Sequence, residues 1–433
     1  MSESDLTAAP SAEPAEVPVT RRELREASEA RGTAPSSATP VLGPGTAVAA
    51  DGVDEAADRG ARRSPLHATH VALGATLVEY AGWLMPLRYA SDLAEHQAVR
   101  RAAGIFDLSH MGEIWVSGPG AGAALDRALV GWLSRLDVGR ARYTMICAED
   151  GGVIDDLVVY RPGEEEFLVV ANAANAAVVA DELRVRCAGG GVSVVDSSAE
   201  VALVAVQGPA AEGIVAAAVD EGDRDAVVGL RYYAAAPATV AGVSAMVART
   251  GYTGEDGFEL FVPAESADHV WASLMVAGEG SGMVPAGLSA RDSLRLEAGM
   301  PLYGNELDRT TTPYDARLGR VVRLDKTTPD GAPVPFVGRD ALAARASSEP
   351  SRLLVGLEGL GRRAARHGYR VLWGDAPVGY VTSGAPSPTL GRPIAMAYVT
   401  PEASAPGTEL TVDVRGRAEP VRVVELPFYS RQS

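Results

Sequence analysis

The sequence is poor in the residues that would build a disulfide framework, a metal centre or a membrane span. It contains two cysteines, Cys147 and Cys187, which are too few for a disulfide scaffold or a cysteine-based metal set. No apolar run approaches the roughly 18–20 residues that a membrane-spanning helix needs. The scarcity of these features predicts a protein of a reducing compartment, without a metal and without a membrane partner, and we expect it to be cytoplasmic.

Positive charge is also scarce, and almost all of it is arginine. The 433-residue chain has one lysine, Lys326, and a formal net charge of −17. Binding to nucleic acid requires a cationic surface that offsets the charge of the phosphates. The composition therefore argues against nucleic acid as a partner.

Aromatic residues are missing from the first 63 positions, which contain no Phe, Trp or Tyr. This segment is rich in Ala, Pro, Ser and Glu. Such a composition cannot bury enough apolar surface to offset the conformational entropy of the chain. Residues 1–63 are therefore predicted to form a disordered acidic tail.

The remainder of the chain falls into two regions. In residues 64–345, predicted strands alternate with predicted helices, and one pattern occurs twice. A strand ending in Gly118-Pro119 precedes an alanine-rich helix, and a strand ending in Gly208-Pro209 precedes another. The repetition favours two related α+β units that are interleaved along the chain. In residues 350–433, short strands separated by Gly, Pro and Asp predict a small antiparallel barrel or sandwich.

Two adjacent aspartates, Asp155 and Asp156, lie inside an apolar strand that follows the Gly151-Gly152 turn. Neighbouring side chains of a strand point to opposite faces of its sheet. At least one carboxylate must therefore face an apolar environment, which costs several kcal/mol unless the group is paired or hydrogen-bonded. Such a carboxylate is either a structural anchor or a functional group, and the residues alone leave both interpretations open.

From about residue 66 to residue 429, the sequence resembles the T-protein family of the glycine cleavage system. Seven motifs in the family's order carry the resemblance: residues 82–86, 106–113, 151–156, 206–209, 249–259, 287–292 and 382–389. The resemblance implies an α+β fold in which two ferredoxin-like units and a C-terminal antiparallel β-barrel form a cloverleaf around a central channel.

The resemblance also implies an activity, that of a tetrahydrofolate-dependent aminomethyltransferase. Members of the family transfer the methylene carbon of the aminomethyl-lipoyl arm of lipoylated H-protein to tetrahydrofolate. The products are 5,10-methylenetetrahydrofolate, ammonia and dihydrolipoyl H-protein. Tetrahydrofolate is thus the implied co-substrate, H-protein is the implied partner, and no metal takes part.

The family's site residues carry over to particular positions. Asp156 matches the family's catalytic aspartate. The reaction needs a carboxylate near the reacting folate nitrogens, where it can assist proton transfer and stabilise cationic character. Asp155 is then interpreted as structural. Glu259 matches the pterin ligand, and Arg291 matches the residue that holds the carboxylate end of the folate. The other matching positions are predicted to line the folate slot: Tyr143, Tyr160, Val170, Asn172 and Tyr252.

Structural roles compete with each of these assignments. Asp156 could cap backbone amides beside the turn, Glu259 could be an exposed strand residue, and Arg291 could form a surface ion pair. The tyrosines could simply pack in the core. Met300 stands where some family members have a tyrosine, and Arg431 is a possible substitute for a C-terminal arginine of the family.

Two other functions use the same fold. One is a subunit of a folate-dependent demethylase of the dimethylglycine or sarcosine type, and no flavin-binding G-x-G-x-x-G motif follows a predicted strand here. The other is a non-catalytic folate-binding protein with a characteristic Lys- and Cys-containing motif. This chain has neither residue between Arg249 and Glu259, and it retains Asp156.

Overall fold

The computed structural model describes residues 60–431, so most of the predicted acidic tail, residues 1–59, lies outside the described residues. The last two residues of that predicted tail do have regular structure. Arg62 and Arg63 form a short strand that pairs in parallel with Trp83 and Leu84. The structure therefore includes residues that the composition assigns to the tail.

Within residues 60–431, strands and helices alternate up to residue 346 and strands dominate afterwards. The strands are β1 (Arg62–Arg63), β2 (Thr76–Tyr80), β3 (Trp83–Arg88), β4 (Gly104–Asp107), β5 (Gly112–Ser117), β6 (Arg140–Cys147), β7 (Val153–Gly163), β8 (Glu166–Ala171), β9 (Ser193–Asp196), β10 (Val201–Gln207), β11 (Ala235–Val240), β12 (Val243–Ala248), β13 (Gly257–Pro263), β14 (Val284–Pro285), β15 (Leu353–Gly359), β16 (Arg370–Trp373), β17 (Ala376–Ser387), β18 (Arg392–Val399), β19 (Glu409–Asp413) and β20 (Ala418–Val424). The helices of the same range are α1 (His67–Ala72), α2 (Asp92–Arg101), α3 (Ala121–Ala128), α4 (Ala176–Arg186), α5 (Ala211–Ala218), α6 (Glu221–Val228), α7 (Ala267–Gly278), α8 (Leu288–Glu297) and α9 (Arg339–Ala346).

The first α+β unit is a five-stranded sheet in the order β6-β7-β8-β5-β9. Alternate residues of its strands, such as Ile114, Leu157 and Val169, pack against α3 and α4 in one buried cluster. The intervening residues point to the opposite face. This alternation places Asp155 on the helix-covered face and Asp156 on the other.

The second α+β unit is a six-stranded sheet in the order β11-β12-β13-β10-β4-β14. Helices α5 and α7 pack on one of its faces, with Ile214, Trp271 and Leu274 among the fully buried residues. The opposite faces of the two sheets meet in a shared apolar layer, to which Tyr160 and Val170 contribute from the first unit and Phe261 from the second.

The repeated Gly-Pro pattern has a physical reason in both units. Gly118 and Gly208 have φ angles of +111° and +133°, which L residues with a side chain rarely adopt. A Cβ atom at Gly118 would lie 2.4 Å from the Gly191 carbonyl oxygen, and one at Gly208 would lie 2.5 Å from that of Ala102. Each glycine thus allows a tight turn from strand into helix. Since each of the two sheets has such a turn, the prediction of two α+β units is confirmed.

The C-terminal region forms a closed barrel in the order β15-β18-β17-β16-β19-β20. The predicted antiparallel barrel is therefore confirmed, and the sandwich alternative is wrong. Helix α8 packs against α2, β3 and the barrel strand β17, so it connects the α+β region to the barrel. Among the described residues, no helix is both long and apolar enough to span a membrane.

Candidate functional site

Asp156 lies on β7, on the face that is directed towards the second sheet. Its carboxylate accepts a hydrogen bond from the Tyr143 hydroxyl at 2.9 Å and another from the Asn172 side-chain amide at 2.8 Å. Tyr143 comes from β6, and Asn172 directly follows β8. Burial raises the pKa of Asp156, while the bonds from Tyr143 and Asn172 oppose that rise. Three of the predicted site positions are thus in direct contact.

Asp155 points to the other side of β7 and is fully buried. One carboxylate oxygen accepts a hydrogen bond from the backbone N–H of Asn172 at 2.9 Å. The other oxygen accepts the side-chain amides of Asn172 at 2.9 Å and Asn175 at 2.8 Å. Burial, and next the charge of Asp156, raise the pKa of Asp155 well above its usual range.

Glu259 lies on β13 of the second sheet and is half-buried. Its Oε2 accepts hydrogen bonds from the Thr250 hydroxyl at 2.5 Å and the Tyr160 hydroxyl at 3.1 Å. Tyr160 belongs to β7, so this bond joins the two sheets. The carboxylate is therefore held by two neutral donors, and it is not the freely exposed strand residue of the competing interpretation.

Arg291 on α8 contacts the Tyr252 ring, with 4.8 Å between its guanidinium carbon and the ring centroid. Among the described residues, its guanidinium makes no ion pair, so the predicted alternative of a surface ion pair does not hold here. Burial lowers the pKa of Arg291, and the charges of Glu259 and the neighbouring tyrosines oppose this effect. The Tyr252 hydroxyl donates to the Pro301 carbonyl, and its pKa is raised mainly by burial.

The other three residues that the sequence analysis named have different surroundings. Val170 is 7% exposed and packs in the layer between the two sheets, beside Val158. Met300 is held through its backbone, which exchanges hydrogen bonds with Arg295. Arg431 pairs with Asp256 at 3.3 Å, in the loop that precedes β13.

The structure adds residues that the sequence did not single out. Tyr233 has a φ angle of +59°, which is uncommon for a bulky residue and marks a constrained backbone. Its pKa is raised by burial and then by Tyr232, Glu259 and Asp156. Tyr233 thus lies within electrostatic reach of both site carboxylates. The adjacent tyrosines 232 and 233, in a chain with only 6% aromatic residues, were the available signal.

Thr250 is the second residue that the sequence did not single out. Its hydroxyl contacts both Glu259 and Tyr160, but a threonine before a glycine turn is common and carries no signal alone. Across the described residues, no group of three His, Cys, Asp or Glu side chains is close enough together to hold a metal ion. A surface cavity of about 290 Å³, lined by residues such as Glu149, Phe336 and Arg339, contains none of the predicted site residues.

Together these groups define a site in which two carboxylates from two sheets flank tyrosine side chains, with a half-buried arginine at one side. Such a site suits a flat, polar heteroaromatic molecule that carries an anionic end. The fold and the site therefore define a class of three-part proteins in which two α+β units, joined to a barrel, bring two carboxylates and several tyrosines together.

Comparison with known proteins places the chain within this class. Residues 66–326 match the GCVT N-terminal domain, and residues 352–430 match the glycine cleavage T-protein C-terminal barrel domain. The aminomethyltransferase of Streptomyces coelicolor is 60% identical over 375 residues, covering 86% of this chain and 98% of that protein. That of Moorella thermoacetica is 45% identical over 370 residues, with coverage of 86% and 98%.

A solved structure agrees with these matches. The glycine cleavage system aminomethyltransferase T from Bartonella henselae superposes with a TM-score of 0.76 at 35% identity, covering 85% of this chain and 98% of that one. The chain belongs to the glycine cleavage T-protein family. It is an aminomethyltransferase of the glycine cleavage system, as the sequence resemblance predicted.

Proposed function

We propose that this enzyme takes tetrahydrofolate as the acceptor and the aminomethyl-lipoyl arm of H-protein as the donor. The aminomethyl carbon leaves sulfur and ends between the two folate nitrogens, giving 5,10-methylenetetrahydrofolate. Ammonia leaves from the same carbon, and the sulfur returns to a thiol on the dihydrolipoyl arm. The observation that supports this best is the pair of hydrogen-bonded carboxylates, Asp156 and Glu259, supplied to one slot by two different sheets.

Glu259 is proposed to recognise the pterin ring. Tyr160 and Thr250 both donate to Oε2, which fixes the direction of the carboxylate. Among the described residues, none donates to Oε1. The carboxylate can therefore accept hydrogen bonds from the 2-amino group and the ring N–H of a pterin, and charge-assisted bonds of this kind are the strong ones.

Arg291 is proposed to hold the anionic end of the folate. A half-buried guanidinium without an ion-pair partner in the described residues suits a carboxylate ligand, because partial removal from water strengthens the attraction. Tyr252 stacks against it and keeps the side chain in place. Val170, Tyr143 and Asn172 are proposed to complete the slot beside Asp156.

Asp156 is proposed to act on the chemical step. Loss of ammonia from the aminomethyl carbon leaves iminium character, which is cationic, near the folate nitrogens. A carboxylate held by Tyr143 and Asn172 can stabilise that developing charge without having to reorganise. The same group can accept a proton from a folate nitrogen as the new carbon–nitrogen bonds form.

The direct test is ammonia release from aminomethylated H-protein by the purified enzyme. Release that requires tetrahydrofolate, with methylenetetrahydrofolate formed in equal amount, is the expected result. Dimethylglycine and sarcosine, each supplied with tetrahydrofolate, serve as alternative donors. Turnover of either donor in place of the H-protein arm would contradict the proposal, and so would folate binding without any transfer.

A further inference from the structure

The carboxylate of Asp155, which lies beside the site, binds Asn172 through two hydrogen bonds. The two oxygens of Asp155 accept the backbone N–H and the side-chain amide of the same residue, Asn172. Asn175, at the N-terminal end of α4, donates to one of these oxygens at 2.8 Å. Within the described residues, every hydrogen bond of the Asp155 carboxylate thus comes from these two asparagines.

The side-chain amide of Asn172 has one orientation that satisfies its surroundings. Its nitrogen lies 2.9 Å from an Asp155 oxygen, 2.8 Å from an Asp156 carboxylate oxygen and 3.2 Å from the Asp156 carbonyl oxygen. All three neighbours are acceptors. Rotating the amide by 180° would place its own oxygen against three oxygens with no hydrogen between them.

We propose that Asp155 is a positioning residue that locks the side-chain amide of Asn172, so that its N–H groups stay on Asp156 and its carbonyl oxygen remains available to a bound ligand. This role rests on the proposed function of Asp156 and goes beyond a purely structural one. Asp155 does not touch the substrate, and it acts through Asn172.

The variant Asp155→Asn tests the lock because it keeps the shape of the side chain. In asparagine, an NH2 group replaces one of the two carboxylate oxygens and acts as a donor. Both oxygens of Asp155 accept from donors, so a donor faces a donor at either position. If the NH2 group of the variant faces the side-chain amide of Asn172, it favours rotation of that amide away from Asp156. If it faces the backbone N–H of Asn172, the hydrogen bond from that N–H is lost. Either arrangement loosens the contact between Asn172 and Asp156.

The expected readout is the pH dependence of turnover. Since the hydrogen bond from Asn172 lowers the pKa of Asp156, losing it raises that pKa, and the acid limb of the profile moves to higher pH. We expect a shift of about one pH unit, the scale of one hydrogen bond to a charged group. The titratable groups that face Asp156 are unchanged in the variant: Tyr143, Tyr233, Tyr252, Tyr303 and Glu306.

The direction of the shift distinguishes positioning from simple charge coupling. Removing a negative charge beside Asp156 would move the acid limb to lower pH. We expect the loss of the Asn172 hydrogen bond to outweigh this effect, because that bond reaches the Asp156 carboxylate directly, whereas the Asp155 carboxylate acts on it from the other face of the strand. A shift to lower pH, or no shift, would overturn the proposal.

Two further variants serve as controls. Leu183→Ala on α4 removes a fully buried side chain of the same core and should lower the melting temperature without moving the acid limb. In an Asn172→Ala background, Asp155→Asn should add no further shift, because the residue through which it acts is gone. An additive second shift would contradict positioning through Asn172.

A further test measures the wild-type protein itself and uses variants only to assign its signals. The chain contains three asparagines, Asn172, Asn175 and Asn305, so selective ¹⁵N labelling gives three side-chain amide pairs. Asn175→Ala and Asn305→Ala assign them by loss. The Asn172 pair is expected to exchange slowly with solvent, and rapid exchange would overturn the proposal. Wild-type enzyme that fails to release ammonia would reject the proposed function while leaving this measurement interpretable.

Discussion

Replacing Asp156 by asparagine should separate substrate binding from the chemical step. The variant is nearly isosteric, and its hydrogen bonds can be kept. The amide oxygen can still accept from Asn172, and the Tyr143 hydroxyl can rotate to accept from the new N–H group. The substitution therefore removes the negative charge with little change in shape, and the melting temperature should stay close to that of the wild type.

The size of the effect follows from the environment of the carboxylate. Two unit charges about 4 Å apart interact by about 4 kcal/mol at an effective dielectric constant of about 20. Part of that attraction is also present before the reaction, so only the remainder lowers the barrier. A remainder of about 2.7 kcal/mol corresponds to a loss of about 100-fold in turnover, which is the least that we expect. Folate affinity should change by less than about tenfold.

The assay combines three measurements on the same samples: ammonia release from aminomethylated H-protein, a folate titration and a thermal melt. Tyr143→Phe is the matched comparison, since it removes a donor to Asp156 but leaves the charge. It should reduce turnover less and move the acid limb to higher pH. Turnover of Asp156→Asn within about threefold of the wild type would refute charge stabilisation by this residue.

Three further predictions concern binding, stability and the N-terminal segment. Glu259→Ala should weaken folate binding by about 2–4 kcal/mol in calorimetry, and Glu259→Gln by less, because one acceptor remains; normal binding by the alanine variant would reject the pterin assignment. Burial alone would raise the pKa of Glu297, but hydrogen bonds from His96, Ser387 and Thr389 lower it to about 2. Its contribution to stability is therefore present above about pH 4.5 and is lost as the pH falls towards 2, so Glu297→Gln should flatten this acid-side decline in melting temperature. Deleting residues 1–60 should leave melting temperature and turnover unchanged within error, since the segment contains no aromatic residue and precedes the family match at residue 66; a large loss of either would show that it contributes to the body or to H-protein binding.

Local pattern was enough to predict two α+β units, a strand-rich C-terminal region and the division of the aspartate pair. Strand alternation assigned Asp155 and Asp156 to opposite faces. The partners that they do not share, Asn175 for Asp155 and Tyr143 for Asp156, agree with that assignment. The Gly-Pro repeat predicted two related units because each glycine is needed for a tight turn next to another backbone segment. Such features depend on neighbours along the chain, so they can be recognised without a structure.

Contacts between distant segments could not be predicted in the same way. The contact of Tyr160 with Glu259 joins positions 99 residues apart on two sheets, and no local pattern records it. Thr250 and Tyr233 reach the site from loops whose course depends on the packing of the second unit. From the residues alone, the aspartate pair remained open to a structural or a functional role, and the family motifs were needed to favour function.

The position of the site between two units makes its geometry depend on contacts outside the slot. Arg100 on α2 donates to the Thr253 carbonyl and pairs with Glu255 at 2.8 Å, both in the loop before β13. The same guanidinium pairs with Glu297 on α8 at 2.8 Å, and Glu297 accepts hydrogen bonds from the barrel residue Thr389. One buried network thus ties the strand that carries Glu259 to the barrel and to the helix that carries Arg291. Because interiors are closely packed, a change in this network shifts the second sheet relative to Asp156 and alters binding and turnover together.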